Sequence, residues 1–356
     1  MNLLIAFIMC FLMNMYIVRK LRKVEKLSPI LSGKARYFIV CAVFSLMIAF
    51  FRSTLLGFAT YVMIFYLFLD LIGFIIKIIN KNWYQGYQKN YRHGIVIIII
   101  SVAITVLSLA HVKNINIVKY TIDLDKNFAS DSVRIMLVTD LHFGTATNES
   151  TLDKITETIQ ENQPDYLVLG GDIFDESTSN QLLNNAIDYF GELTKDVNVI
   201  YILGNHEHMV RNRNQLADRV KKAGVTVLQD EVLFTDEGFY FVGRLDKSQS
   251  MRSGNDRASL ATLAKEIDFN YPVVLLDHQP VEMKIAKELG FDIVLSGHTH
   301  AGQFFPMTFF ARFFNERFYG LYQEDNFYTI VSSGIGVWGM AIRNTSNSEI
   351  VILDIK

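Results

Sequence analysis

The chain has 356 residues, half of them apolar, with 27 phenylalanines and 34 Lys+Arg against 36 Asp+Glu; this is greasy for a soluble protein and excludes a disordered or strongly basic one. The balance hides a division: residues before position 112 carry 12 basic and 2 acidic side chains, and those after it carry 22 and 34, a net charge of −12 by 22 minus 34. So acidic a surface repels nucleic acid phosphates, and no nucleic acid partner is expected.

In chain order, four apolar runs at about 2–18, 37–51, 55–79 and 94–110 approach the length a bilayer requires. Three spans with a tilted or re-entrant segment is the alternative count, because the second run is short and Arg52, Ser53 and Thr54 leave little room to turn. The first run has neither a basic leader nor a small-residue cleavage site, so it reads as a retained span rather than a removable signal peptide. Arg19, Lys20, Arg22, Lys23, Lys26, Lys34 and Arg36 lie between runs one and two, and Lys77, Lys81, Lys89 and Arg92 between runs three and four. Both basic loops belong on the cytoplasmic side. The expectation is therefore a multi-pass anchor in the cell membrane, residues 1–111, among membrane lipids, with everything after His111 outside the cytoplasm. Cys10 and Cys41 both fall in the apolar runs, so the C-terminal part has neither a disulfide framework nor a thiolate metal site. Asp70, in YLFLDLIGF, is a carboxylate at mid-membrane depth that either pairs with a neighbouring span or marks function.

Residues 112–356 are different in kind. Short β-branched runs alternate with helical stretches: INIVKYTIDL at the join, RIMLVTD, a helix near 150–162, YLVLGGD, a helix near 180–193, and VNVIYILGN. After Arg219 come VTVLQD, FYFVG, PVVLLDH, FDIVLSGH, YTIVSSG and EIVILDI. This predicts one α/β domain with a strand-rich second half and a substantial core, held close to the bilayer rather than on a long tether.

Each of five apolar runs ends in residue types that bind metals. RIMLVTD ends in Asp140 with His142 two on, and YLVLGGD in Asp172 with Asp175 three on. VIYILGN ends in Asn205 followed by His206, PVVLLDH in His278, and FDIVLSGH in His298 with His300. Functional groups of an α/β sheet gather outside the carboxyl ends of its strands, so five separate stretches can converge on one crevice. A single strand-end Asp is usually a turn or cap residue and a single buried His a satisfied core group. Five in the order D-x-H, G-D-x-x-D, G-N-H, H and G-H-x-H are not accounted for by turn chemistry.

TDLHFG, GGDIFDE, GNHEH, DHQP and SGHTHAGQ together resemble the motif series of the calcineurin-like metallophosphoesterases, and the apolar N-terminal region resembles their membrane-anchored bacterial branch. The resemblance spans roughly residues 134–355 and implies a two-sheet sandwich flanked by helices, with a dinuclear metal centre at the strand ends. It assigns Asp140, His142, Asp172 and His300 to one ion and Asp172, Asn205, His278 and His298 to the other, Asp172 bridging. It places His206 near the leaving-group oxygen as a proton donor, with Asp175 orienting that histidine or a ligand, or capping a helix. Ala301 stands where glycine is common in this branch. Carboxylate, imidazole and amide ligands without thiolate suit Mn, Fe or Zn. The implied activity is hydrolysis of a phosphodiester, pyrophosphate or phosphomonoester, lipid-linked or soluble, by metal-activated hydroxide.

Residues 304–322, FFPMTFFARFFNERFYGLY, follow the histidine pair with seven phenylalanines and interleaved Arg312 and Arg317. They read either as a loop packed on its own domain or as a cap that dips into the bilayer interface while its arginines hold phosphate. Arg244 and Arg343 follow predicted strands or loops and read as surface residues or phosphate ligands. The competing functions are a membrane receptor or scaffold that binds without turnover, and a transporter with a regulatory domain. The presence of both Asp172 and His206 favours the enzyme.

Overall fold

The computed structural model describes residues 3–22, 36, 38–43, 45, 52–90, 95–126, 129–130, 132–144, 147, 149–210, 215–248 and 256–356. The chain divides into two compact units, Met1–His111 with Gly339–Ile342, and Val112–Trp338 with Arg343–Lys356.

The first unit is helical: α1 (Leu3–Leu21), α2 (Arg52–Ile79), α3 (Lys81–Asn90) and α4 (Ile95–Val112). Within α2, the 25-residue stretch Leu55–Ile79 is the one described helix long and apolar enough to cross a membrane; Val96–Val112 is apolar but shorter. At ~1.5 Å per residue that stretch reaches roughly 37 Å, against a hydrocarbon core of about 30 Å. Of the run expected at 37–51, residues 38–43 and 45 are described and are helical, and the rest lies outside the described residues. Asn80 separates α2 from α3, its side-chain oxygen accepting from the backbone N–H groups of Asn82 and Trp83 as a helix cap does. Ile17, Ala59, Val62, Tyr66 and Ile97 form this unit's core. Asp70 is paired: it accepts from the Tyr16 hydroxyl at 2.7 Å and forms an ion pair with Lys20. Two residues of α1 thus answer the carboxylate of α2, the arrangement that an apolar surrounding demands of a charge.

The second unit is built on two six-stranded mixed sheets. The first has the order β1 (Ile115–Ile122), β12 (Ser348–Ile355), β2 (Val133–Val138), β3 (Tyr166–Gly170), β4 (Asn198–Ile202), β5 (Thr226–Val227). The second has the order β10 (Gly320–Glu324), β11 (Phe327–Val331), β9 (Ile293–Ser296), β8 (Val273–Leu276), β7 (Tyr240–Gly243), β6 (Glu231–Phe234). Strands β2 to β5 run parallel, as do β7, β8, β9 and β11.

Strand parity explains the layers. Ile135, Leu137, Val168, Ile200 and Ile202 of the first sheet pack with Phe241, Val274, Leu276, Ile293 and Leu295 of the second in one core. The alternate residues Met136, Val138, Leu167, Leu169, Val199 and Tyr201 turn outward onto α5 (Glu149–Asn162) and α6 (Asn180–Leu193), through Ile155, Ile159, Leu183, Ala186 and Phe190. On the far side Val242, Leu275 and Val294 meet α8 (Leu260–Leu263) and α9 (Met283–Leu289). The short α7 (Leu216–Lys222) packs on β5. Because both faces of β2, β3, β4, β8 and β9 are covered, their sequences read as continuous apolar runs, as parallel strands do. The result is a helix–sheet–sheet–helix stack in which the carboxyl ends of strands from both sheets open on one crevice.

Candidate metal centre

The residues singled out at the strand ends meet there. The metal-binding atoms of Asp140, His142 and His300 lie within 4.8 Å of one another, as do those of Asp172, His278 and His298. The Asp172 carboxylate stands between the trios, with Oδ2 3.0 Å from His278 Nε2 and 4.0 Å from His142 Nε2. In the first trio His142 Nε2 and His300 Nε2 are 3.2 Å apart, and His300 Nε2 is 3.4 Å from Asp140 Oδ1. All these side chains are buried except that of His298, which is partly exposed.

The backbone bends sharply to achieve this. Asp140, His142, Asp172, His298 and His300 all adopt positive φ, between 45° and 70°. Each such residue costs about 1–2 kcal/mol for an L side chain. Left-handed turns immediately after the strands bring ligand side chains two residues apart into the same pocket. Gly204 precedes Asn205 because nothing larger fits: a Cβ there would lie 2.3 Å from Asp172 Oδ1.

A second set of groups fixes the ring orientations. His278 Nδ1 donates to the Gly170 carbonyl at 2.9 Å, which turns Nε2 toward Asp172. His142 Nδ1 sits 3.1 Å from Asp175 Oδ2. Asp175 therefore orients His142 and not His206. Its other oxygen closes a local turn by accepting from Ser177 N and Oγ, and the N-cap of α6 is Ser179 rather than Asp175. His206 has a different partner, Glu176, whose Oε2 lies 3.3 Å from His206 Nδ1. The His206 ring stands edge-on to His142 at 5.0 Å and 5.3 Å from Trp338, and its backbone N–H donates to Asp172 Oδ1 at 2.7 Å.

Electrostatics keep the acceptors ready. Burial pushes the Asp172 carboxyl up, but His278 and the other nearby imidazoles more than reverse this and hold it well below the usual carboxylate range. Burial drives His300 down to about 3, aided by His142 and Arg343, and lowers His298 as well. Both imidazoles are then neutral near pH 7, with lone pairs free. For His142, burial is outweighed by Asp175, Asp172 and Asp140, which raise it.

The residues fit a pair of cations. Asn205 Oδ1 is buried without a hydrogen-bond partner. His278 Nε2 lies 3.0 Å from Asp172 Oδ2; burial lowers that imidazole but Asp172 and Asp140 outweigh it and raise it well above its ordinary value, so without metal the ring itself bears the positive charge the carboxylates demand. An orphaned amide oxygen and two buried carboxylates are unfavourable unless positive charge joins them. Oxygen and imidazole donors without sulfur match divalent first-row metals.

One supporting residue escaped the sequence. Glu207, fully buried, accepts from the backbone N–H groups of Asp172, Ile173, Phe174 and Gly204 and from the Tyr201 hydroxyl, at 2.7–3.2 Å. Burial and the nearby Asp172 push its pKa up to about 7, against these five donors. A carboxylate inside GNHEH reads as one more polar loop residue; the only signal was its place two residues after the candidate ligand Asn205. Arg343, expected at the surface or on phosphate, is buried and donates to the carbonyls of Ser333, Gly336 and Asn347, with Nη2 3.4 Å from His300 Nδ1. Arg244 is likewise buried, paired with Glu282 and bonded to the Ala258 carbonyl.

A family described as calcineurin-like phosphoesterase matches residues 133–302. An uncharacterized metallophosphoesterase of Aquifex aeolicus is 31% identical over 242 residues, covering 67% of this chain and 90% of the relative. One of Campylobacter jejuni is 32% identical over 66% of this chain and 62% of its own length. A transmembrane protein with metallophosphoesterase domain from Danio rerio is 28% identical over 75% of this chain and 63% of its own. The chain spans about three fifths of the length of the first curated relatives it matches, at 62% and 59%. Sandwich, strand-end cluster and these similarities agree: the chain belongs to the calcineurin-like phosphoesterase family.

Proposed function

We propose that this protein is a membrane-anchored, metal-dependent hydrolase of a phosphodiester, pyrophosphate or phosphomonoester. The observation that carries the reading is the convergence of Asp140, His142 and His300, and of Asp172, His278 and His298, into two buried trios, with Asn205 Oδ1 buried and unpartnered. Asp140, His142, Asp172 and His300 would hold one divalent ion, and Asp172, Asn205, His278 and His298 the other, each Mn, Fe or Zn. Such a pair supplies Lewis acidity and charge neutralisation to a bound phosphoryl group.

The chain's own residues do the rest. Asp175 and the Gly170 carbonyl fix the tautomers of His142 and His278, so both present Nε2 to the centre. His206, with Nδ1 on Glu176, keeps Nε2 available to give a proton to the departing oxygen. Glu176 sits half-exposed beside that ring, and its own carboxyl is lowered by the hydrogen bond to His206. The anchor is α2 with the other apolar N-terminal segments as further spans. That the Danio rerio relative is named a transmembrane protein supports this reading. The basic loops support an extracytoplasmic domain.

The test is hydrolysis of bis(p-nitrophenyl) phosphate and p-nitrophenyl phosphate by the full chain in detergent, stripped of metal and resupplied with Mn²⁺. Activity should return with metal, vanish in Asp172→Asn, and fall about a hundredfold or more in His206→Ala. Activity on neither compound with metal bound would favour a receptor or scaffold that binds phosphate without turnover.

A further inference from the structure

The helix α10 (Met307–Phe314), sequence MTFFARFF, lies just beyond the family match, which ends at residue 302. It departs from every expectation for a helix on a folded domain, since none of its eight residues is buried. By contrast α6 buries Leu183, Ala186, Ile187, Phe190 and Leu193. On α10 and just before it Phe305, Met307, Phe309, Phe310, Phe313 and Phe314 are exposed, Phe309 at 67% and both Phe313 and Phe314 at 76%. That is a contiguous apolar patch of a kind soluble surfaces avoid.

Its occupant follows from charge and attachment. The one charge on α10 is Arg312, on a domain whose net charge is −12 by 22 minus 34, so the patch is apolar and locally basic where the rest is acidic. Phenylalanine and arginine without an acidic residue is the composition of a helix lying in a bilayer interface, rings in the acyl boundary and guanidinium at the phosphates. The same chain carries the apolar Leu55–Ile79 helix, long enough to cross a bilayer, and only Lys113 and Asn114 separate α4 from β1. Arg317, by contrast, is spent on an ion pair with Glu324.

The patch is fastened to the metal centre. Gly302, φ 72°, lets the Thr308 backbone come so near that a Cβ would lie 2.2 Å from Thr308 Cα, and the Thr308 hydroxyl bonds that of Thr345. Gln303 brackets Trp338 through that residue's N–H and carbonyl. Trp338 is half-exposed with its ring against His206. The apolar rim thus runs from α10 to the edge of the site.

We propose that α10 docks into the interfacial region of the bilayer that anchors the chain, holding the mouth of the metal centre at the level of the lipid headgroups. The inference is positional and stands apart from whether the domain hydrolyses phosphoesters. The experiment uses the full chain in phosphatidylcholine–phosphatidylglycerol nanodiscs, with Trp83→Phe and Trp338→Phe removing both native tryptophans and Phe313→Trp, or in a second protein Phe309→Trp, supplying a single probe. Emission at either position should fall at least about twofold when the acyl chains are brominated, because the ring lies among them. A control probe at Phe234→Trp, on exposed β6 at the opposite edge of the second sheet, should not respond. Equal emission from both α10 probes with and without bromine would overturn the proposal, and reversing Arg312 (Arg312→Glu) should weaken the quenching where it occurs.

Discussion

Five candidate ligands sit in the left-handed region, and the energy stored there has a consequence at the level of single residues. His298, at φ 70°, is held there only by the architecture around it, its N–H donating to both oxygens of Asp140 at 3.0 Å. Glycine adopts that conformation without penalty, and the gain of about 1–2 kcal/mol is offset by its freer unfolded chain, worth ~0.5–1 kcal/mol. His298→Gly should therefore raise the stability of the metal-stripped protein by roughly 0.5–1 kcal/mol while weakening metal uptake. Thermal unfolding in chelator and titration with Mn²⁺ read the two effects separately; a less stable metal-free variant would show that the strain is not where φ places it. The ordering of ring nitrogens belongs to the same scale. His278 is committed by one carbonyl, Gly170, and a ligand of that kind gives up metal when its lone pair is protonated.

Among the elements, the loops after β3 and β4 are independent in sequence but joined by Glu207. Four backbone N–H groups, three from one loop and one from the other, converge on its carboxylate. Glu207→Gln would turn an amide N–H₂ toward some of those donors and leave them unanswered in a buried site. The expected loss is about 2–4 kcal/mol, with reduced affinity for the ion near Asp172 and Asn205. Chemical denaturation with and without Mn²⁺ measures both, and a variant as stable as the parent would deny Glu207 its bracing role. Here the sequence was only partly legible. Strands covered on both faces announced themselves as runs such as YLVLG and VVLL, and their terminal Asp, Asn and His residues followed directly. Edge strands β6 and β10, half exposed along their length, lacked such runs. Glu207 and Glu176 look like ordinary polar loop residues, because a hydrogen-bond bracket depends on contacts across about 30 positions. Asp175 could be tied to either of two histidines until its distance to His142 was known. The aromatic segment was visible at once, but whether it packed or stood exposed is a property of the fold.

On the scale of the whole molecule, the split in charge sets the expected topology. Twelve basic and two acidic residues precede position 112, and eleven of the basic ones gather in two stretches, 19–36 and 77–92, of the kind that resists translocation. A phosphatase reporter fused after Ala110 should be active outside the cytoplasm and a fluorescent reporter requiring the cytoplasm should be dark there. The reverse pattern would put the metal centre inside the cell. The order of the first sheet adds a constraint of another kind. Strand β12, the last in the chain, lies between β1 and β2, parallel to the first and antiparallel to the second. The two earliest strands of the domain are therefore strangers to each other until residues 348–355 have been made. However early the helices of the first unit form, this sheet stays open through the synthesis of more than two hundred residues, and β1 and β2 must be sheltered until β12 arrives to join them.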